Sequence, residues 1–226
     1  MFTRLLGAVL GLASFAGSAE ASTVLFENAF NGAVGGTYGL SNPDVLYAEN
    51  FTLGSSSIIQ TLSFNAYWYN PDYTIPYSIT WSINYDTSNQ VGAVLASGAV
   101  ASGATGLTRE FVTTDGFTAD LSDFIIDIPD LLLDTGSYWV IFHAFNVGLV
   151  WTLNCSGNCL PSDGDHLSLF STDGGSSWQS EEYNNVFQIL GTAAIPLPAA
   201  FPLFATALAG MGLLGWRRKR KASASV

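Results

Sequence analysis

Apolar and polar residues alternate one by one through the middle of the chain. Leu62, Phe64, Ala66 and Trp68 are interleaved with Ser63, Asn65, Tyr67 and Tyr69. A period of two puts one set on a buried face and the other on the opposite face of a strand. Ile79, Trp81, Ile83 and Tyr85 alternate in the same way with Ser78, Thr80, Ser82 and Asn84, and the turn-forming run 86–92 ends that strand. Apolar stretches at 93–101, 109–115, 117–121, 137–146, 149–153, 166–172 and 186–190 predict further strands, separated by Gly, Asn, Asp and Ser. Short strands with glycine-rich turns and no sustained helical period predict an all-β ectodomain, an antiparallel β-sandwich of the jelly-roll kind. One segment imitates a helical face: Asp120, Asp123, Asp127, Asp130 and Asp134 recur at three- and four-residue steps. Pro129 and the β-branched Ile125, Ile126 and Ile128 oppose a helix, so the expectation is a solvent-side loop leading into the strand at Ser137.

The ends break the alternation. Residues 1–21 hold one cation, Arg4, then an apolar run and the small-residue pattern Ala19-Glu20-Ala21, which reads as a signal peptide cut before Ser22. The other end is built from three parts. Ile195-Pro196-Leu197-Pro198-Ala199-Ala200 leads into residues 199–216, which carry no charge, and these into Arg217, Arg218, Lys219, Arg220 and Lys221. As a helix, the 18 uncharged residues would extend roughly 27 Å, enough for the core of a bilayer, with the basic cluster held on the cytoplasmic side. The chain therefore divides into a leader (1–21), an ectodomain (22–191) and a tail (192–226) containing a transmembrane helix.

This tail resembles the PEP-CTERM sorting signal, also labelled the ice-binding protein C-terminal domain. It is most similar to the variant whose motif reads Val-Pro-Leu-Pro-Ala, with Ile195 in place of that Val and Leu197 where the commonest form has Glu. The resemblance implies cleavage near 196–200 by an exosortase-type protease-transpeptidase. It also implies passage through the inner membrane to the envelope, cell surface or medium of a bacterium, in company with exopolysaccharide. Segments at 48–53, 92–97, 133–139, 171–178 and 187–191 are similar to those of uncharacterised exported β-sandwich domains that carry such tails; this likeness implies a fold and no activity.

Charge changes the picture once the ends are set apart. Of the 18 acidic residues only Glu20 lies in the leader, so the ectodomain carries 17 acids against one cation, Arg109, for a formal net charge of −16. Such a domain repels nucleic acid and anionic lipid and favours cations, or remains soluble in salty surroundings. The two cysteines, Cys155 and Cys159, enclose Ser-Gly-Asn and in an oxidising compartment predict a local disulfide; a zinc site would need two more ligands. The aspartates of 120–134 are the candidates for a calcium site, although spacing alone does not bring them together.

Catalytic patterns are absent from the sequence. No serine stands in a nucleophile elbow, and His143 shares the parity of Trp139 and Ile141, as a hydrogen-bonded or rim residue would. His166 follows the turn Asp163-Gly164-Asp165. The aromatic run containing Tyr67, Trp68, Tyr69, Tyr73, Tyr77 and Trp81 offers two readings, core packing or a sugar-stacking face. Trp68 and Trp81 have the apolar parity, which leaves Tyr67, Tyr69 and Tyr73 as ligand candidates. Asp173-Gly174-Gly175-Ser176-Ser177-Trp178 offers the same two readings, a turn with a tryptophan anchor or a binding loop. The sequence therefore predicts a non-enzymatic structural or adhesive surface protein without a required cofactor. A lectin-like carbohydrate-binding module, with or without calcium, is the alternative, and a secreted hydrolase the third.

Overall fold

Two antiparallel sheets take up the alternation. The computed structural model describes residues 22–29, 37–69, 77–114, 119–145, 149–152, 167–181 and 184–194. The leader, the cysteine loop and the tail from residue 195, including the expected transmembrane segment, lie outside the described residues. The chain divides into two compact units, Met1–Thr192 and Ala193–Val226, and the sheets are built by the first as far as its boundary. In chain order the strands are β1 (Thr23–Asn28), β2 (Thr37–Gly39), β3 (Leu46–Leu53), β4 (Ser57–Tyr69), β5 (Ser78–Asp86), β6 (Val91–Ala101), β7 (Leu107–Thr114), β8 (Ala119–Leu133), β9 (Gly136–Phe145), β10 (Leu149–Thr152), β11 (Ser168–Ser171), β12 (Gln179–Glu181) and β13 (Phe187–Ala193). No helix occurs among the described residues.

The first sheet runs β7–β8–β4, and the far edge of β4 carries β13 with β1 and β10 with β2. The second sheet runs β12–β11–β3–β9–β5–β6. The two share one core. Phe64 of β4 stacks on Phe142 of β9 with ring centroids 4.5 Å apart, and both meet Trp151 of β10 edge-on. Leu62, Ala66 and Trp68 line up with Phe64 on the inner side of β4, and Ile79, Trp81 and Ile83 face them from β5. Each such buried side chain contributes about 1.5–3 kcal/mol by leaving water, and each aromatic pair about 0.5–1.5 kcal/mol more. A register shift between Ile59 and Thr61 lets Ile59 and Leu62 both point inward despite their odd spacing. Between β5 and β6, Ser88 and Asn89 have φ of 57° and 63°, the pair of left-handed residues that a two-residue hairpin of matching twist requires.

The aspartate-rich segment is a strand and not the expected loop. β8 spans it, with Phe124, Ile126 and Ile128 in the core, so its period of two outweighs the helical spacing of the acids. Pro129 is tolerated because β7 begins at Leu107, opposite Ile126, so the β7–β8 ladder does not reach the proline, and because the pairing with β4 is irregular there.

One carboxyl interrupts the inner face. Glu49 shares the parity of Tyr47, Phe51 and Leu53 on β3 and is 1% exposed. Its Oε1 accepts hydrogen bonds from Ser168 Oγ at 2.7 Å, the Asn185 backbone N–H at 3.0 Å and Asn185 Nδ2 at 2.6 Å. It thereby ties β11 of the second sheet to the segment entering β13 of the first. Burial pushes this carboxyl up to about 8, outweighing the three donors, which act in the opposite direction.

Candidate functional site: a groove over the second sheet

The outer side of the second sheet is set by β9. Tyr138, Val140, Phe142 and Ala144 face the core, so Trp139, Ile141, His143 and Phe145 face outward. The ladders extend this face sideways. Ile141 stands between Ala48 and Ser82, and beyond Ser82 comes Ser97; His143 is opposite Thr80, and Thr80 is opposite Ala99. Half of the face is covered, since Ala48, Trp139, Ile141 and Leu169 form a second small core with Leu46, Val91, Leu167 and Trp178 against them. Trp139 Nε1 donates to Asp86 Oδ1 at 3.3 Å. The other half is a groove of about 830 Å³ floored by β5, β6 and β9.

Its wall is the turn that follows β11. Asp173 organises the turn, with Oδ1 accepting from Ser171 Oγ at 2.7 Å and from the Ser177 N–H at 2.9 Å, and Oδ2 accepting from Ser177 Oγ at 2.6 Å. These donors hold the Asp173 carboxyl down at about 2. Gly174 and Gly175 have φ of 68° and 89°, which side chains rarely adopt, and the Gly174 N–H donates to the Asp44 carbonyl at 3.0 Å. The turn thus places Trp178 half-buried beside the groove, so the tryptophan is both anchor and wall.

Among the described residues the lining is uncharged: Thr80, Ser82, Asn84 and Ser97 are its polar groups and Phe145 and Trp178 stand among its aromatic ones, with no Asp, Glu, Lys or Arg. His143 is 5% exposed, and burial lowers its pKa from the ordinary histidine value, against a hydrogen bond to the Asn42 backbone. Its buried Nε2 has no hydrogen-bond partner.

The residues singled out in the sequence are placed differently. Trp68 and Trp81 fill the core. Tyr67 is on the opposite parity but 1% exposed, packed with Leu121, so its ring offers no stacking surface. Tyr69 ends β4 with its backbone opposite Ala119; its side chain lies outside the described residues, as do Tyr73, His166, Cys155 and Cys159, the sorting motif 195–200 and the basic residues 217–221. The aspartates of β8 diverge. Asp120 lies 3.6 Å from Arg109, Asp123 accepts from Asn65 Nδ2 at 2.7 Å and Asp130 from Gln60 Nε2 at 3.3 Å. Among the described residues no group of three His, Cys, Asp or Glu side chains is placed to hold a metal ion. Arg109 is engaged on the inner side, its Nε donating to Ser122 Oγ at 2.9 Å and its guanidinium 5.0 Å above the Trp68 ring.

The groove itself was not foreseen, because it exists only once β3, β9, β5 and β6 are in register. Two of its parts were visible in the sequence: the parity of His143 with Trp139 and Ile141, and the loop Asp173 to Trp178, read there as a tryptophan anchor or a binding loop. No family model matches the chain, and no curated protein matches it.

Proposed function

We propose that this chain is an exported, non-enzymatic adhesive protein of the cell surface or extracellular matrix. On this reading its jelly-roll-like ectodomain binds a neutral polysaccharide in the groove over the second sheet. The observation that carries the reading is chemical contrast: the described residues lining the groove are all uncharged, in a domain with 17 acids and one cation. Hydroxyl and amide side chains on the floor suit the hydroxyls of a sugar, and the ring of Trp178 suits the C–H face of a pyranose. The leader and the PEP-CTERM-like tail support delivery, with an exosortase-type enzyme acting at residues 195–200 and the helix of 199–216 as a transient membrane handle. The partner on this reading is exopolysaccharide.

A glycan array probed with the full-length protein, with and without EDTA, tests it. The expected result is retention on neutral glycans, none on uronic-acid-rich ones, and no effect of EDTA, since no carboxylate lines the groove among the described residues. EDTA-sensitive retention would shift the reading to a calcium-assisted lectin working through the acidic loops. Silence across the array would leave a purely structural role.

A further inference from the structure

We infer that His143 reads the ligand in this groove, its Nε2 accepting a hydrogen bond from one hydroxyl of a neutral saccharide when Phe145 turns aside. This rests on the groove being a saccharide site, and it adds the recognising atom and the polarity of the hydrogen bond. Among the described residues lining the groove, His143 Nε2 is the only buried side-chain polar atom without a partner. An unmet buried acceptor is a standing cost that a ligand donor removes.

The neighbours fix which kind of partner fits. The Asn42 backbone raises the ring's pKa, as a carbonyl accepting from a ring N–H does; with Nε2 unpartnered, we place that N–H on Nδ1. In the neutral imidazole that leaves Nε2 as an acceptor, and burial keeps the ring neutral. It therefore takes a donor, and since the described lining is uncharged the donor is itself neutral. Across the ladders the row through His143 and Thr80 ends in the small side chain of Ala99. The group in ring contact with the imidazole is Phe145, its centroid 4.3 Å away at 64°, at the last position of β9 and 41% exposed. A rotamer change of a side chain that exposed breaks few contacts and takes its ring off the imidazole, as a ligand reaching Nε2 requires.

The chain has two histidines, so ¹⁵N-histidine labelling of the full-length protein in micelles gives two imidazoles to follow. The probes are cellohexaose, mannohexaose and chitohexaose. With a probe that binds, the His143 Nε2 resonance should move while its Nδ1 and His166 stay. His143→Leu should weaken binding about tenfold, or about 1.4 kcal/mol. His143→Gln, whose amide oxygen can take the acceptor position, should recover part of that loss, and Phe145→Ala should bind more tightly. If a probe binds and Trp178→Ala weakens it, while Nε2 stays silent and His143→Leu keeps wild-type affinity, the role of His143 is overturned and the groove reading survives. An Nε2 response to chitohexaose alone would make the donor an amide N–H and overturn the hydroxyl assignment. If none of the three oligosaccharides binds and the array is silent, the groove reading falls, and this inference with it.

Discussion

Gly191 has no room for a side chain: a Cβ there would stand 2.0 Å from the Ile58 carbonyl oxygen of the neighbouring strand. Gly191→Ala therefore forces β13 away from β4 and should cost about 3 kcal/mol, read as a lowered thermal unfolding midpoint. Glu49 is constrained by charge and not by space. Its folded pKa of about 8 lies above the ordinary 4.5, so the carboxyl holds its proton longer in the folded state than in the unfolded chain. The stability tied to that proton is fully present below about pH 4.5 and is lost as pH rises to about 8, at about 1.4 kcal/mol per pH unit. Glu49→Gln keeps an acceptor for Ser168 and Asn185 but cannot ionise. Chemical denaturation from pH 4 to 9 should show the wild type losing stability relative to the variant across that window. Parallel profiles would place the Glu49 pKa near its ordinary value.

At the level of elements, the turn 171–178 sets the position of Trp178 through one carboxylate. Asp173→Ala removes the acceptor of three donors, so amide exchange at Ser177 should quicken and Trp178 emission should shift to the red. In the wild type the same loosening should appear only as pH falls through about 2, where Asp173 takes up its proton. Strands were legible in the sequence where only one face is apolar. β4 and β5 declared themselves because Ser, Thr and Asn alternate cleanly with their core residues. β8 did not: Phe124, Ile126 and Ile128 have the strand period, but the aspartates overlay it with a helical one. β3 carries Glu49 on its inner face, which breaks the apolar row. Tyr67 shows the limit of parity arguments, because alternation says that a side chain faces away from the core and not whether that second face is bare. The groove lay further out of reach, since its floor joins residues as distant as Thr80 and His143 through strand register alone.

For the whole molecule, β13 ends at Ala193, two positions before the proposed sorting motif. Intact mass spectrometry of protein recovered from membrane, envelope and medium tests the proposed processing. The expected species begins at Ser22 and ends within 196–200, outside the inner membrane; one that keeps residues 216–226 in the membrane fraction would reduce the tail to an anchor. The pairing of Arg109 also bears on how a domain processed as proposed would withstand proteases. Between Ser22 and Ile195 there is no lysine and no other arginine, so trypsin-like proteases have one bond to attack, Arg109–Glu110. That bond lies within the β7 ladder, with its guanidinium held over Trp68 and against Ser122 and Asp120. The folded domain should pass through trypsin uncut, yielding two fragments only after denaturation, and its side chains offer amine-directed reagents no target at all.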